Sequence, residues 1–114
     1  MTGAAAALGR SGEQRVSEWY VERGYGVLAR NWRCRGGELD LVVGLGRLVV
    51  FCEVKTRSSD RFGAPAEAVT AAKQARIRRL AARWLAEAPG AARSIRFDVA
   101  AVMGGAIEVI EGAF

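Results

Sequence analysis

Histidine is absent from the 114 residues. That removes the usual general base near neutral pH and every triad built on an imidazole. Cysteine is almost as scarce: Cys34 and Cys52 are the only two, and they form no CxxC pair. Without histidine and without paired thiols, the donor sets of a zinc site are missing. The two thiols are read as free, in a reducing cytosol. No apolar run approaches the ~20 residues of a membrane span, so no membrane is expected as a partner. The opening MTGAAAALGR has no basic n-region and only an alanine run where a signal peptide carries its apolar stretch, so it is not read as one. Residues 1–8 are read as a helix start or a disordered tail. Any catalysis in this chain must therefore rest on carboxylates, on lysine or on a metal ion.

What is present is enough for one real core. Half the residues, 51%, are hydrophobic and a quarter, 25%, are charged, which suits one soluble domain over residues 1–114. Seventeen Lys and Arg against twelve Asp and Glu leave a formal charge of +5, a balance that suits a polyanionic partner.

Periodicity and turn residues predict an α-β-β-β-α-β-β order, a mixed α/β sandwich around a central sheet. A first helix runs from about Leu8 or Ser11 to Arg23 and ends at Gly24. A strand from Tyr25 to Arg33 follows, then the turn 34–37, a second strand from Leu39 to Val43, and a two-glycine hairpin at 44–47. The third strand is Leu48 to Thr56. An exposed loop covers 57–65, and a long helix runs from about Ala66 to Ala88, before Pro89-Gly90. Strands from Ile95 to Met103 and Ala106 to Ile110 complete the chain, joined at Gly104-Gly105.

The third strand poses a physical problem. Its stretch VVFCEVK sets Glu53 and Lys55 two apart beside an apolar run, and an unpaired buried charge is expensive. Side chains alternate across a strand, so Phe51, Glu53 and Lys55 share one face, and Val50, Cys52 and Val54 the other. In the second strand Glu38, Asp40 and Val42 share a face, opposite Leu39, Leu41 and Val43. A hairpin closing around Leu45-Gly46 sets Val43 opposite Leu48, Asp40 opposite Phe51 and Glu38 opposite Glu53. Asp40 is then diagonal to Glu53, at about 7–8 Å by Cα. Any even-length loop keeps these faces together, whereas a one-residue slip separates them. Asp40, Glu53 and Lys55 are thus expected to converge, with Glu38 near the edge. Two carboxylates suit Mg²⁺ or Mn²⁺, and a lysine suits the charge that develops on a phosphate under attack. Against this stands a plain cross-strand ion pair on a solvated sheet face, the commoner origin of a bare D…ExK pattern.

The helices aim further charges at the same place. Glu13, Val16 and Tyr20 fall on one stripe of the first helix, with Gly12 allowing close packing. On the second helix Lys73 extends the apolar face of Ile77, Leu80, Ala81, Trp84 and Leu85 by one turn. Helix-end capping by Glu13 and a snorkelling Lys73 are the bland alternatives. Arg30, Arg33 and Arg35, with Trp32 among them, and Arg57 with Arg61 beyond Lys55, are read as nucleic-acid contacts: arginines on phosphates, Trp32 on a base. The stripe of Arg76, Arg79 and Arg83 is read as a solvated face.

GEQRVSEWYVERGYGVLARNWRCRGGELDLVV, LVVFCEVKTR, FGAPAEAV, Lys73 and RFDV together resemble the YraN family of small bacterial proteins, over about Gly9 to Val99. That family is placed in the PD-(D/E)XK nuclease superfamily, near the archaeal Holliday junction resolvases. The resemblance implies the restriction-endonuclease-like α-β-β-β-α-β core, here with an extra C-terminal strand. It implies Asp40 and Glu53 as metal-binding acids, Lys55 as the catalytic lysine, Glu13 as the helix-one glutamate, and Lys73 as an auxiliary polar residue. Leu39 stands where many members carry proline. Resolvase relatives act as dimers, so a homodimer is the oligomeric expectation. The leading functional expectation is a cytoplasmic, Mg²⁺- or Mn²⁺-dependent endonuclease acting on DNA, on branched or damaged structures. The rivals are a nucleic-acid-binding module of the same fold without turnover, and a protein-interaction domain whose basic surface is incidental.

Overall fold

The computed structural model describes residues 4–57, 69–88, 90 and 94–114, with residues 4–11 and 57 described by backbone alone. The element order is α1 (Ala4–Glu22), β1 (Gly26–Cys34), β2 (Gly37–Leu45), β3 (Leu48–Arg57), α2 (Ala71–Glu87), β4 (Ser94–Met103) and β5 (Ala106–Ile110). The strands form one open mixed sheet in the order β1-β2-β3-β4-β5. Neighbours are antiparallel except β3 and β4, which are parallel and joined across the sheet by α2. This is the restriction-endonuclease-like α-β-β-β-α-β core, with β5 as the extra strand.

Each face of the sheet carries one helix. Val16 and Tyr20 of α1 bury against Leu41, Val43, Val50, Cys52, Ala100 and Val102. Ile77, Leu80 and Ala81 of α2 bury against Leu39, Val42, Val49, Phe51 and Val99. The two helical stripes read from the sequence are therefore the two seams of the core. Gly12 lets α1 come down onto β3: a Cβ there would sit 2.8 Å from Thr56 Oγ1.

Several predicted boundaries shift: α1 begins at Ala4 rather than at Leu8 or Ser11, and β2 begins at Gly37 rather than Leu39. Helix α2 begins at Ala71 rather than near Ala66, because Thr70 caps it, its hydroxyl accepting from the Lys73 N–H at 3.2 Å. Val69, just before the cap, is buried in the α2 seam. The β2–β3 hairpin closes one step later on each strand than expected, with Leu45 opposite Leu48 and only Gly46-Arg47 between them. Gly46 has φ +59, the sign a tight hairpin needs at its first loop position. The register is thus two residues from the expected one: Val43 faces Val50 and Val42 faces Phe51. An even slip by itself moves no side chain to the other face.

Beneath the sheet's surface, Asp98 is fully buried yet fully served. It accepts from the Tyr20 hydroxyl at 2.6 Å, from Arg96 Nε at 2.8 Å and Nη2 at 3.0 Å, and from the Gly112 N–H at 3.0 Å. The RFDV segment therefore ties α1 to β4 and to the chain's end. Burial pushes the Tyr20 phenol well above its ordinary pKa, so the hydroxyl stays a donor.

Candidate active site

The site forms where β2 and β3 part. Their paired register runs from the hairpin as far as Leu41 opposite Cys52. Just beyond it, the Val54 N–H donates to Asp40 Oδ2 at 2.9 Å. A side-chain oxygen thus takes a β3 donor that a continuing ladder would have given to β2 backbone.

A change of face in β1 and β2 puts Asp40 there. Leu41 and Val43 belong to the α1 seam but Leu39 to the α2 seam, so alternation breaks at Asp40. On β1, Arg30 reaches Gln14 of α1, while Ala29 and Trp32 pack on the α2 seam. Arg30 pairs with Leu41 and Trp32 with Leu39, and the intervening Asn31–Asp40 step is missing from the register. Asn31 has φ 50, the left-handed region that asparagine tolerates better than most residues. The expectation that Leu39, Leu41 and Val43 share one face is corrected by this switch. Asp40 leaves the alternation and turns toward β3.

Glu53 projects from the α2 face of β3, as its parity requires. Its Oε2 lies 2.8 Å from Lys73 Nζ and 3.5 Å from Lys55 Nζ. Asp40 stands close enough to Glu53 for the two carboxyl groups to act on one another. Burial is the chief reason that the Asp40 carboxyl titrates high, near 7; the Val54 N–H opposes the rise, and the charges of Glu53 and Glu13 add to it. For Lys55, burial and then Lys73 beside it hold the amine below its ordinary value. Burial works on Lys73 in the same direction, but its bonds to Glu53 and Lys55 outweigh it and the amine is raised. One lysine is thus clamped as a cation on Glu53, and its neighbour sheds its proton more readily.

Glu13 is half-buried over the same region, and its Oε1 accepts from Asn31 Nδ2 at 3.0 Å. Asn31 therefore both turns the strand and holds Glu13. The sequence reading passed over it, although an asparagine inside a predicted strand was a visible signal. Glu38 does not join the cluster. It is paired with Arg33 Nε at 2.6 Å on the exposed edge. Trp32 is half-buried against the α2 seam, which gives its ring a packing role. Arg30 and Arg35 are exposed. Arg61 and the Arg57 side chain lie outside the described residues.

The donor set fits a hard divalent cation. Asp40 and Glu53 supply carboxylate oxygens from neighbouring strands, and Mg²⁺ characteristically binds one or two carboxylates and keeps several waters. Among the described residues no group of three His, Cys, Asp or Glu side chains converges to hold an ion by itself.

The sequence model of "Uncharacterised protein family UPF0102" matches residues 12–102. The chain belongs to UPF0102, the YraN family. A UPF0102 protein of Frankia alni is 62% identical over 96 residues, covering 84% of this chain and 80% of the relative. One from Frankia casuarinae is 56% identical over 113 residues, covering 95% and 96%. One from Beutenbergia cavernae is 57% identical over 97 residues, covering 85% and 82%. The family match spans Glu13, Asp40, Glu53, Lys55 and Lys73 together.

Proposed function

We propose that this UPF0102 protein is a metal-dependent endonuclease that hydrolyses phosphodiester bonds in DNA, with branched or damaged structures as its targets. The observation that carries the reading is the convergence of Asp40, Glu53 and Lys55 where β2 and β3 separate. Asp40 and Glu53 would hold Mg²⁺ or Mn²⁺. When bound, the ion supplies Lewis-acid polarisation of the phosphate and a more acidic water. Lys55 presents an ammonium to the charge that grows on the phosphate oxygens, and its lowered pKa also lets it pass a proton. Glu13, held by Asn31, orients water on the α1 side. Lys73 pairs with Glu53 and holds its carboxylate in place.

The reading is tested by incubating the protein and Asp40→Asn with labelled single-stranded, duplex, flapped and four-way-junction DNA, and with RNA, in Mg²⁺, Mn²⁺ and EDTA. Metal-dependent cutting that the variant loses supports it and names the substrate. Absence of cutting by both proteins on every substrate counts against it. The second reading, a binding module without turnover, draws on one specific contact. Lys73 Nζ already lies 2.8 Å from the Glu53 oxygen that a metal ion would need.

A further inference from the structure

The helical arginine stripe is exposed, as a solvated face would be, but it does not stand alone. Arg76, Arg79 and Arg83 of α2 line one concavity of about 240 Å³ with Arg35 and Gly36 of the β1–β2 turn and Leu80 beneath. Two glycines bring the turn to the helix. Gly36 has φ +110 and Gly37 φ +147, and a Cβ on Gly37 would meet Leu80 Cδ1 at 3.1 Å and Arg76 Cδ at 3.7 Å. The Arg35 carbonyl then accepts from Arg83 Nη1 at 3.3 Å. Among the described residues, the acid paired with any of the four is Glu87, 3.5 Å from Arg83 and well exposed. Among the described residues, no acid lines the concavity itself.

Four guanidiniums gathered in a groove repel one another, and an anionic occupant relieves that repulsion. Guanidinium forks match phosphate oxygens two at a time. The array is also long. Arg76 stands one helical turn from Lys73, which is bound to Glu53, and Lys73 to Arg83 spans ~15 Å along the helix. A single phosphate fills only part of such a track, whereas a strand with repeating phosphates follows all of it.

We propose that the groove between α2 and the β1–β2 turn, built by Arg35, Arg76, Arg79 and Arg83, anchors the phosphodiester backbone of a nucleic acid as it leaves the Asp40–Glu53 site. The inference rests on the nucleic-acid reading above and deepens it: affinity would come from this groove, and chemistry from the acids.

The test separates the two. Binding of a fluorescein-labelled 20-base-pair duplex is followed by anisotropy in EDTA, where no metal-dependent cutting occurs, over a range of NaCl. The wild type, Asp40→Asn, Arg35→Ala/Arg79→Ala/Arg83→Ala, the corresponding triple lysine variant, and Arg47→Ala in the distant β2–β3 turn are compared, each shown to be folded by its thermal transition. The triple alanine variant is expected to bind at least tenfold more weakly, with the logarithmic salt slope reduced by about 2 to 3, near 0.9 per lost phosphate contact. The triple lysine variant keeps most of the slope, Arg47→Ala binds as wild type does, and Asp40→Asn, which loses a negative charge at the site, binds no more weakly than wild type. Three results would overturn the groove: unchanged affinity and slope in the folded triple alanine variant, an equal loss in Arg47→Ala, or no salt-sensitive binding by the wild type. Absence of cutting by the wild type on every substrate, with its salt-sensitive binding intact, refutes the nuclease reading alone.

Discussion

Asparagine at position 40 keeps the shape of the side chain, and its Oδ1 can still accept from the Val54 N–H, but the charge is gone. In the folded wild type the Asp40 carboxyl is raised from an ordinary 3.8 to about 7. The folded state therefore holds a proton between those two pH values that the unfolded chain has released, and stability falls as pH rises through that window. Below pH 4 the acid is protonated in both states and imposes no penalty; above pH 7 the penalty is complete. At about 1.4 kcal/mol per pH unit, the full penalty is about 4 kcal/mol. Water at this half-buried site screens it to about 2 kcal/mol. Asp40→Asn should then match wild type near pH 4 and exceed it at pH 8 by roughly 8 °C in thermal midpoint. The assay is thermal unfolding in EDTA at several pH values, followed by the same series in Mg²⁺. Magnesium at about 10 mM, acting on a site with a Kd of about 1 mM, adds about 1.4 kcal/mol to wild type at pH 8 and little to the variant. The gain shrinks toward pH 5, where a metal must displace the proton on Asp40. A variant that tracks wild type at every pH, or that unfolds at every pH, would refute the argument. In the second case Asp40 would be a structural acid whose charge the Val54 bond requires.

Six further substitutions, at five positions, probe the site and its supports. Lys55→Ala should leave the magnesium-induced rise in thermal midpoint unchanged while slowing cleavage by about 10²–10³, the cost of one lost transition-state donor; an unaltered rate removes Lys55 from the mechanism. Asn31→Gly should retain its stability within a few tenths of a kcal/mol, whereas Asn31→Val should lose about 1–2 kcal/mol through its positive φ. Equal urea midpoints for those two variants would deny Asn31 its role in the face switch. Gly12→Ala should cost about 1–3 kcal/mol, because the new Cβ meets Thr56 Oγ1 at 2.8 Å. Adding Thr56→Ala should recover part of that loss, and strict additivity in this double-mutant cycle would contradict the contact. Tyr20→Phe should lower unfolding stability by about 1.5–3 kcal/mol by stripping one donor from buried Asp98, with the urea m-value unchanged; a neutral result would mean that Arg96 and Gly112 suffice.

The contrast between what was and was not legible follows the range of the forces involved. Strand parity put Glu53 on the α2 face beside Phe51, and helical spacing aligned Glu13 with Val16 and Tyr20, and Lys73 with Ile77 and Leu80. Those patterns depend on the backbone repeat within one element, so one stretch of sequence carries them. The element order was legible for the same reason, since Gly24, Gly46 and Gly104-Gly105 punctuate it locally. Even the start of α2 was available in Thr70, three residues before Lys73, although the apolar spacing drew the reading upstream.

Contacts between distant segments were decided only when the chain folded. The β2–β3 register moved by two residues because hairpin closure at Gly46-Arg47 competes with other even loops that bury the same faces equally well. The switch at Asn31 and Asp40 requires β1, β2 and β3 at once. It determines that Asp40 bonds Val54 while Glu38 goes to Arg33. Lys73 reaching Glu53, and Arg35 joining Arg76, Arg79 and Arg83, depend on where α2 lands after crossing the sheet. Sequence periodicity specifies which face a side chain presents; the packing of one element on another specifies which partner it meets.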